Sequence, residues 1–131
     1  MHYLIMIYES PEAFANRSNQ EQEAYWGAWA AYSQVLRQAG VMAGGKGLEP
    51  PSTGTTVRVR NGKRLVQDGP YADTKEQLGG FFILDVPDLD AALDWAARAP
   101  ASSDGALEVR PVKMSCQPSD VAEQTLAGAA S

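Results

Sequence analysis

The sequence predicts one α+β domain of the ferredoxin-like class, a split β-α-β sandwich with an inserted β-hairpin. Its 131 residues are enough for a single hydrophobic core. Apolar and periodic segments follow one another as strand, helix, strand, hairpin, strand, helix, strand, which is the order of the split repeat. Asn61-Gly62 is the strongest short hairpin signal and places the hairpin.

The first three elements are a strand, a helix and a strand. Residues 2–8, HYLIMIY, are apolar almost throughout, which is typical of a strand buried on both faces. Ser18–Glu21 has the pattern of a helix capping box, and apolar residues recur at helical spacing over 25–39 until Gly40. Val41–Leu48 is a strand interrupted by glycines, which indicate bulges or close backbone approach.

The middle of the chain contains the hairpin, a turn and the central strand. The hairpin occupies residues 55–67 around Asn61-Gly62. Asp73–Glu76 has the pattern of a second capping box, which predicts one helical turn over residues 75–78. Phe81–Leu84 is too short an apolar run for a buried helix and is predicted to be the central strand.

The last elements are a helix and an edge strand. Asp88 is the predicted N-cap of the helix, which ends before Pro100. Its predicted inner face consists of Leu89, Ala92, Leu93 and Ala96. Residues 106–112 alternate and contain a proline, as edge strands do. The domain is expected to span 1–114, and residues 115–131 are predicted to be a flexible C-terminal tail.

The strands around Tyr3 and Phe81 are apolar on both faces, although two helices cover only one face of a sheet. A bare apolar face would exceed the patch that a monomer tolerates. The sequence therefore predicts a homodimer in which a second copy covers that face.

The amino-acid composition limits which binding partners and which kinds of site are expected. A net charge of −5 argues against a nucleic-acid partner. The single histidine, His2, and the single cysteine, Cys116, predict no disulfide, no metal site and no cofactor. The sequence shows no apolar run long enough for a membrane span and no signal-peptide pattern, so the expected location is cytoplasmic.

The stretch DGPYADTKEQLGGFF, residues 68–82, resembles the signature of the DGPF-domain branch of the YCII-related proteins, with Tyr71 where that branch usually has Phe. HYLIMIY, LDAALDWAARAP and LEVRPV resemble the same family in the expected order, from Met1 to about Val112. The resemblance implies a ferredoxin-like fold that pairs sheet to sheet as a dimeric α/β barrel. It also implies two kinds of role, a dehydrochlorinase with a proposed His–Asp pair, and an accessory partner of alternative sigma factors.

That His–Asp pair cannot be transferred to this sequence. The first predicted helix contains no histidine, and Asp104 stands where the family commonly has another. If the protein is an enzyme, carboxylates or tyrosines would have to act as the general acid or base. The catalytic candidates are Asp68, Tyr71 and Glu76. Asp68 as a turn residue and Glu76 as a capping residue are equally open interpretations.

A ligand-binding cavity is predicted between the first helix and the sheet. Its expected border consists of Tyr8, Trp26, Tyr71 and Arg110, with Lys75 as a further ligand-binding candidate. Arg110 would orient an anionic or phenolate group. The alternative is a packed domain in which Arg110 pairs with Glu108 or Asp68.

Two functions are compatible with these residues. One is an accessory or regulatory module that binds a small aromatic or anionic molecule in stress or sigma-factor signalling. The other is a cofactor-independent lyase, isomerase or cyclase acting on an aromatic or lactone-like compound.

Overall fold

The computed structural model describes residues 1–12, 19–102 and 104–113. Its regular elements are β1 (His2–Glu9), α1 (Asn19–Gln38), β2 (Met42–Gly47), a 3₁₀ turn (Pro51–Thr53), β3 (Thr55–Arg60), β4 (Lys63–Asp68), β5 (Gln77–Asp85), α2 (Leu89–Ala97) and β6 (Ala106–Pro111). The predicted N-cap Ser18 and the predicted tail over 115–131 lie outside the described residues.

Four strands form one antiparallel sheet in the spatial order β2, β5, β1, β6. This is the strand order of a split β-α-β repeat, and the predicted mixed α+β architecture is confirmed. β6 contains Pro111 and lies at an edge, as its sequence predicts. Among the described residues, β3 and β4 pair with each other and with no other strand. Their two-residue turn has positive φ at Asn61 (52°) and Gly62 (74°), the backbone that a tight hairpin requires.

One face of the sheet packs against both helices and forms the core. Alternate residues of β1 point to this face because side chains in a strand alternate between faces. The buried cluster consists of Tyr3, Ile5, Ile7, Tyr32, Leu36, Phe82, Leu84, Val86, Ala92, Ala96, Ala99 and Ala101. Burial of a side chain such as Ile5, Leu36 or Leu84 contributes roughly 1.5–3 kcal/mol.

Helix α2 contacts the core through alanines rather than leucines. Ala92 and Ala96 are buried, whereas Leu89 and Leu93 are 46% and 45% exposed, so half of the predicted inner face was wrong. Small side chains at the contact let the helix lie close to the sheet, and the leucines lie beside this contact, where they stay about half exposed. Asp88 is the N-cap as predicted, and its Oδ1 accepts a hydrogen bond from the Ala91 amide at 2.9 Å.

The helical turn predicted after Asp73 does not form, and Glu76 caps nothing. β5 already begins at Gln77, and Gln77 and Leu78 pair with Glu9 and Tyr8 of β1. Ladder hydrogen bonds to β1 satisfy backbone groups that a single isolated helical turn would leave largely unpaired. The register shifts between Ile7 and Tyr8, which leaves a bulge opposite them on β5.

Glycines of β2 mark close backbone approach, as the sequence predicts, and a glycine of β5 does the same. A Cβ on Gly45 would lie 2.9 Å from the Cβ of Phe82, and one on Gly80 would lie 3.0 Å from the Lys46 carbonyl oxygen. Both distances are too short for ordinary packing. Because these positions carry no side chain, space remains between this end of the sheet and α1.

Candidate functional site

A cavity of about 360 Å³ lies between α1 and the β2–β5 side of the sheet. Its described lining includes Ile7, Glu9, Tyr25, Trp26, Trp29, Tyr32, Ser33, Leu36, Met42, Gly45, Gly80 and Phe82. We call it the aromatic cavity, because aromatic side chains from α1 and β5 form much of its wall. A cleft of this size lined by apolar rings and a few polar groups is the usual form of a small-molecule site.

The aromatic rings of the cavity hold one another in place. Trp29 meets Tyr25, Tyr32 and Phe82 with ring centroids 6.2, 5.8 and 6.5 Å apart, all in edge-to-face geometry. Trp26 lies edge-on to Tyr25 at 5.2 Å. Such pairs contribute about 0.5–1.5 kcal/mol each beyond the area that they bury. The wall is therefore preorganised rather than formed on binding.

Glu9 brings a buried carboxylate to the aromatic cavity. It is the last residue of β1, it follows Tyr3, Ile5 and Ile7 on the helix-facing side, and it is only 8% exposed. The Tyr25 hydroxyl donates a hydrogen bond to Glu9 Oε1. A buried carboxylate needs such donors, because removing the charge from water is otherwise costly. The pair places a proton acceptor and a phenol together on the cavity lining.

Tyr32 also lines the aromatic cavity, but its hydroxyl has a structural partner. It donates a hydrogen bond to the Trp95 carbonyl oxygen at 2.5 Å and so links α1 to the end of α2. Burial raises the pKa of Tyr32 to about 12, and the nearby Arg98 guanidinium lowers it only in part. Tyr32 therefore keeps its proton at neutral pH and is poorly suited to acid–base catalysis.

Several predicted site residues gather at a different place, around Tyr8. We call the hollow lined by Tyr8, Pro51, Pro70, Tyr71 and Leu78 the turn groove; its volume is about 490 Å³. Tyr71 is 74% exposed, and the Arg58 guanidinium lies 5.0 Å from its ring centroid.

A shallow hollow on the other side of Tyr8 includes two more predicted residues. It is lined by Lys75 and Glu76 together with Glu108 of β6. Tyr8, Tyr71, Lys75 and Glu76 therefore lie near one end of the sheet, as the sequence suggested, but not in the aromatic cavity.

Of the residues predicted to border the helix–sheet cavity, Trp26 belongs to the described lining, and Tyr8, Tyr71 and Arg110 do not. Tyr8 follows a residue that points toward α1, so it projects from the opposite face of the sheet. Arg110 pairs across from Leu4 on that same opposite face, is exposed, and has its Nε 3.8 Å from Glu108 Oε2. Asp68 is exposed at the end of β4.

Sequence reasoning missed Glu9 and Tyr25. A signal for Glu9 was available, since a carboxylate that continues the alternation of Tyr3, Ile5 and Ile7 must face the core or a partner. The contact with Tyr25 depends on how α1 is rotated over the sheet, which local pattern does not specify.

Within residues 1–12, 19–102 and 104–113, no group of three or more His, Cys, Asp or Glu side chains is placed to hold a metal ion. None of the helices in that part of the chain has the length and apolar character needed to cross a membrane.

Comparisons with known proteins agree with this architecture. The family model of the YCII-related domain matches residues 1–115. An uncharacterised protein of Rhizobium meliloti (strain 1021) is 34% identical over 116 residues, which cover 87% of this chain and 94% of that protein. A solved structure of similar fold is the 5-chloro-2-hydroxyhydroquinone dehydrochlorinase of Burkholderia phenoliruptrix AC1100 in complex with 2,5-dihydroxybenzoquinone. The two structures superpose with a TM-score of 0.52 and 19% sequence identity, and the match covers 88% of this chain and 96% of the dehydrochlorinase chain.

Proposed function

Given that this chain belongs to the YCII-related family, we propose that it binds a small hydroxylated aromatic compound in the aromatic cavity and moves a proton on it without a cofactor. One observation carries the proposal: the buried Glu9 carboxylate accepts a hydrogen bond from Tyr25 and lines a cavity walled by aromatic rings. The reaction class is that of a lyase, isomerase or cyclase.

The arrangement divides binding and chemistry between two groups. Trp26, Trp29 and Phe82 offer ring faces and edges to a planar ligand. The Glu9 carboxylate accepts a proton from an O–H or C–H of that ligand; in an isomerisation it returns this proton at another atom, and in an elimination chloride leaves with the electron pair of the C–Cl bond, so neither reaction needs a co-reactant. Tyr25 holds the carboxylate in position and stabilises its charge through the hydrogen bond.

The ligand class is supported by the fold relative. That dehydrochlorinase acts on a chlorinated hydroxyhydroquinone and was solved with a dihydroxybenzoquinone, both planar hydroxylated rings. A single substituted ring of this kind is small enough for a cavity of about 360 Å³.

Binding is tested with 2,5-dihydroxybenzoquinone as the probe. We expect it to raise the melting temperature and to quench tryptophan fluorescence, because two of the three tryptophans line the cavity. Trp26→Phe should reduce the quenching. If neither the melting temperature nor the absorbance-corrected fluorescence responds to hydroxylated quinones and hydroquinones, the aromatic cavity is not the site.

Catalysis is tested with Glu9→Gln, which keeps the shape of the side chain and removes the proton acceptor. Turnover of chlorinated hydroquinones should fall by about 10²-fold or more, while probe binding persists. Glu23→Gln, an exposed carboxylate of α1 outside the described cavity lining, is the matched control. Binding by the wild type without any turnover would instead support a non-catalytic binding module.

The remaining expectations from the sequence stay proposals. Membership of the DGPF branch is supported by residues 68–82, DGPYADTKEQLGGFF. The cytoplasmic location and the association with a sigma factor stay predictions. Co-purification of a sigma factor with the tagged protein would support the regulatory role, and a location of its gene among catabolic genes would favour the enzyme.

We propose further that the protein is a homodimer joined through the sheet face that the helices leave uncovered. Leu4 and Met6 of β1 and Phe81 and Ile83 of β5 pair across the two central strands on this face and are only partly buried. A contiguous apolar surface of this kind is typical of an interface.

The dimer is tested by sedimentation. Phe81→Lys places a charge on the uncovered face and should remove this interface, so that the protein sediments as a smaller species than wild type, whereas Gln38→Lys, exposed on α1, should leave the interface intact. A wild-type monomer at micromolar concentration would exclude the dimer.

A further inference from the structure

The β3–β4 hairpin presents an apolar face that no described element covers. Val57 and Val59 of β3 and Val66 of β4 share one face and are 60%, 62% and 58% exposed. A two-stranded hairpin is only marginally stable in water without further packing. This face is therefore suited to contact with another surface.

The hairpin also carries a charge opposite to that of the protein as a whole. Arg58, Arg60, Lys63 and Arg64 lie on its two strands, where Asp68 is the single acidic residue, although the chain has a net charge of −5. Arg64 pairs across from Val59 and so lies on the valine face. The hairpin is a basic projection from an acidic protein.

Helix α2 carries the complementary surface on its outer side. Leu89 and Leu93 are 46% and 45% exposed and lie one turn apart. Asp90 and Asp94 follow them at the same spacing and are exposed too. Residues four apart on a helix share a face, so these four residues form a leucine stripe bordered by carboxylates. We call it the acidic leucine stripe.

We propose that the valine face of the hairpin docks on the acidic leucine stripe of a second copy of this chain. Valines would meet leucines, and the cations at the hairpin end would meet Asp90 and Asp94. Every copy carries both surfaces, so each can give and receive the contact. The basic hairpin and the acidic leucine stripe attract each other, whereas the other acidic surfaces of two copies repel each other. This difference in charge favours the hairpin–helix contact. This contact is distinct from the proposed sheet-face dimer and does not depend on it.

Two charge-reversed variants test the contact. The hairpin variant carries Lys63→Glu and Arg64→Glu, and the helix variant carries Asp90→Lys and Asp94→Lys. Each alone should self-associate through this contact at least about tenfold more weakly than wild type. Mixed in equal amounts, the acidic hairpin of one meets the basic stripe of the other, and the larger species should return in sedimentation velocity.

Salt and a matched variant separate this contact from the sheet-face dimer. Raising the sodium chloride concentration should dissociate the hairpin contact, because salt screens its opposite charges. An apolar sheet interface is not weakened by this screening. Glu23→Lys with Glu49→Lys makes the same charge change as the helix variant at exposed positions elsewhere and should leave association unchanged. The proposal is wrong if either reversed variant associates like wild type, or if the mixture fails to restore the larger species.

Discussion

Replacing Tyr32 with phenylalanine should lower the free energy of unfolding by about 1 kcal/mol at pH 8, and this difference should vanish near pH 11. At pH 8 the variant loses the hydrogen bond from the Tyr32 hydroxyl to the Trp95 carbonyl. The Trp95 carbonyl still accepts a hydrogen bond from the Arg98 amide at 3.1 Å, so it is not left unpaired in the variant. The loss of stability therefore stays near the value for one ordinary hydrogen bond.

The pH dependence follows from the raised pKa of Tyr32. The hydroxyl ionises near pH 10 in the unfolded chain and at about 12 in the folded protein, because burial opposes the charge. The stability that the proton contributes is complete below pH 10 and is lost as the pH rises toward 12. At pH 11 the wild type should have lost on the order of 1 kcal/mol through this group, which cancels its advantage over the variant.

Urea unfolding followed by circular dichroism at pH 8, 9, 10 and 11 measures the effect. Other groups titrate in both proteins, so the difference between wild type and Tyr32→Phe isolates this hydroxyl. Tyr71→Phe reports the effect of removing an exposed hydroxyl. A wild-type advantage that stays constant from pH 8 to 11 would refute the reasoning.

Two further predictions concern single positions with matched controls. Gly105→Ala should destabilise the protein by more than about 2 kcal/mol in thermal or urea unfolding, because its Cβ would lie 2.3 Å from the Tyr8 carbonyl oxygen. Gly27→Ala, where no described atom outside the chain neighbours and the helix backbone lies within 4 Å of the new Cβ, should stabilise α1 by up to about 1 kcal/mol. Asp88→Ala should cost about 1 kcal/mol by removing the cap of α2, whereas Asp73→Ala should change stability by less than about 0.5 kcal/mol. Equal effects of the two aspartate changes would contradict the cap assignment.

Most of the fold could be predicted from the sequence because periodicity and turn residues are local signals. The strand of residues 2–8, the long first helix, the Asn61-Gly62 hairpin and the Asp88 cap all lie where the sequence places them. The helical turn after Asp73 was wrong for a non-local reason. Its last residues are recruited into β5 by pairing with β1, and no local pattern reports that pairing.

The candidate site was predicted less well because β1 is apolar on both faces. When both faces of a strand are apolar, its pattern does not say which set of side chains meets the helices. Tyr8 was expected to border the cavity, and the strand was expected to end at Tyr8, before Glu9. In the structure Tyr8 lies on the opposite face of the sheet, and Glu9 is the last residue of β1 and faces the cavity. Trp26 does line the cavity, because helical spacing alone puts it beside the buried stripe of α1.

The position of β1 has a consequence for how the chain folds during synthesis. β1 lies in the centre of the sheet, yet both of its neighbours are made much later, since Tyr3 pairs with Leu84 and Pro111. Contacts so distant along the chain slow folding. While the ribosome makes the intervening residues, β1 stays unpaired and exposes apolar side chains on both faces. An exposed apolar strand of this kind favours aggregation. A nascent chain stalled before β5 should therefore be a strong client of chaperones that bind extended apolar segments.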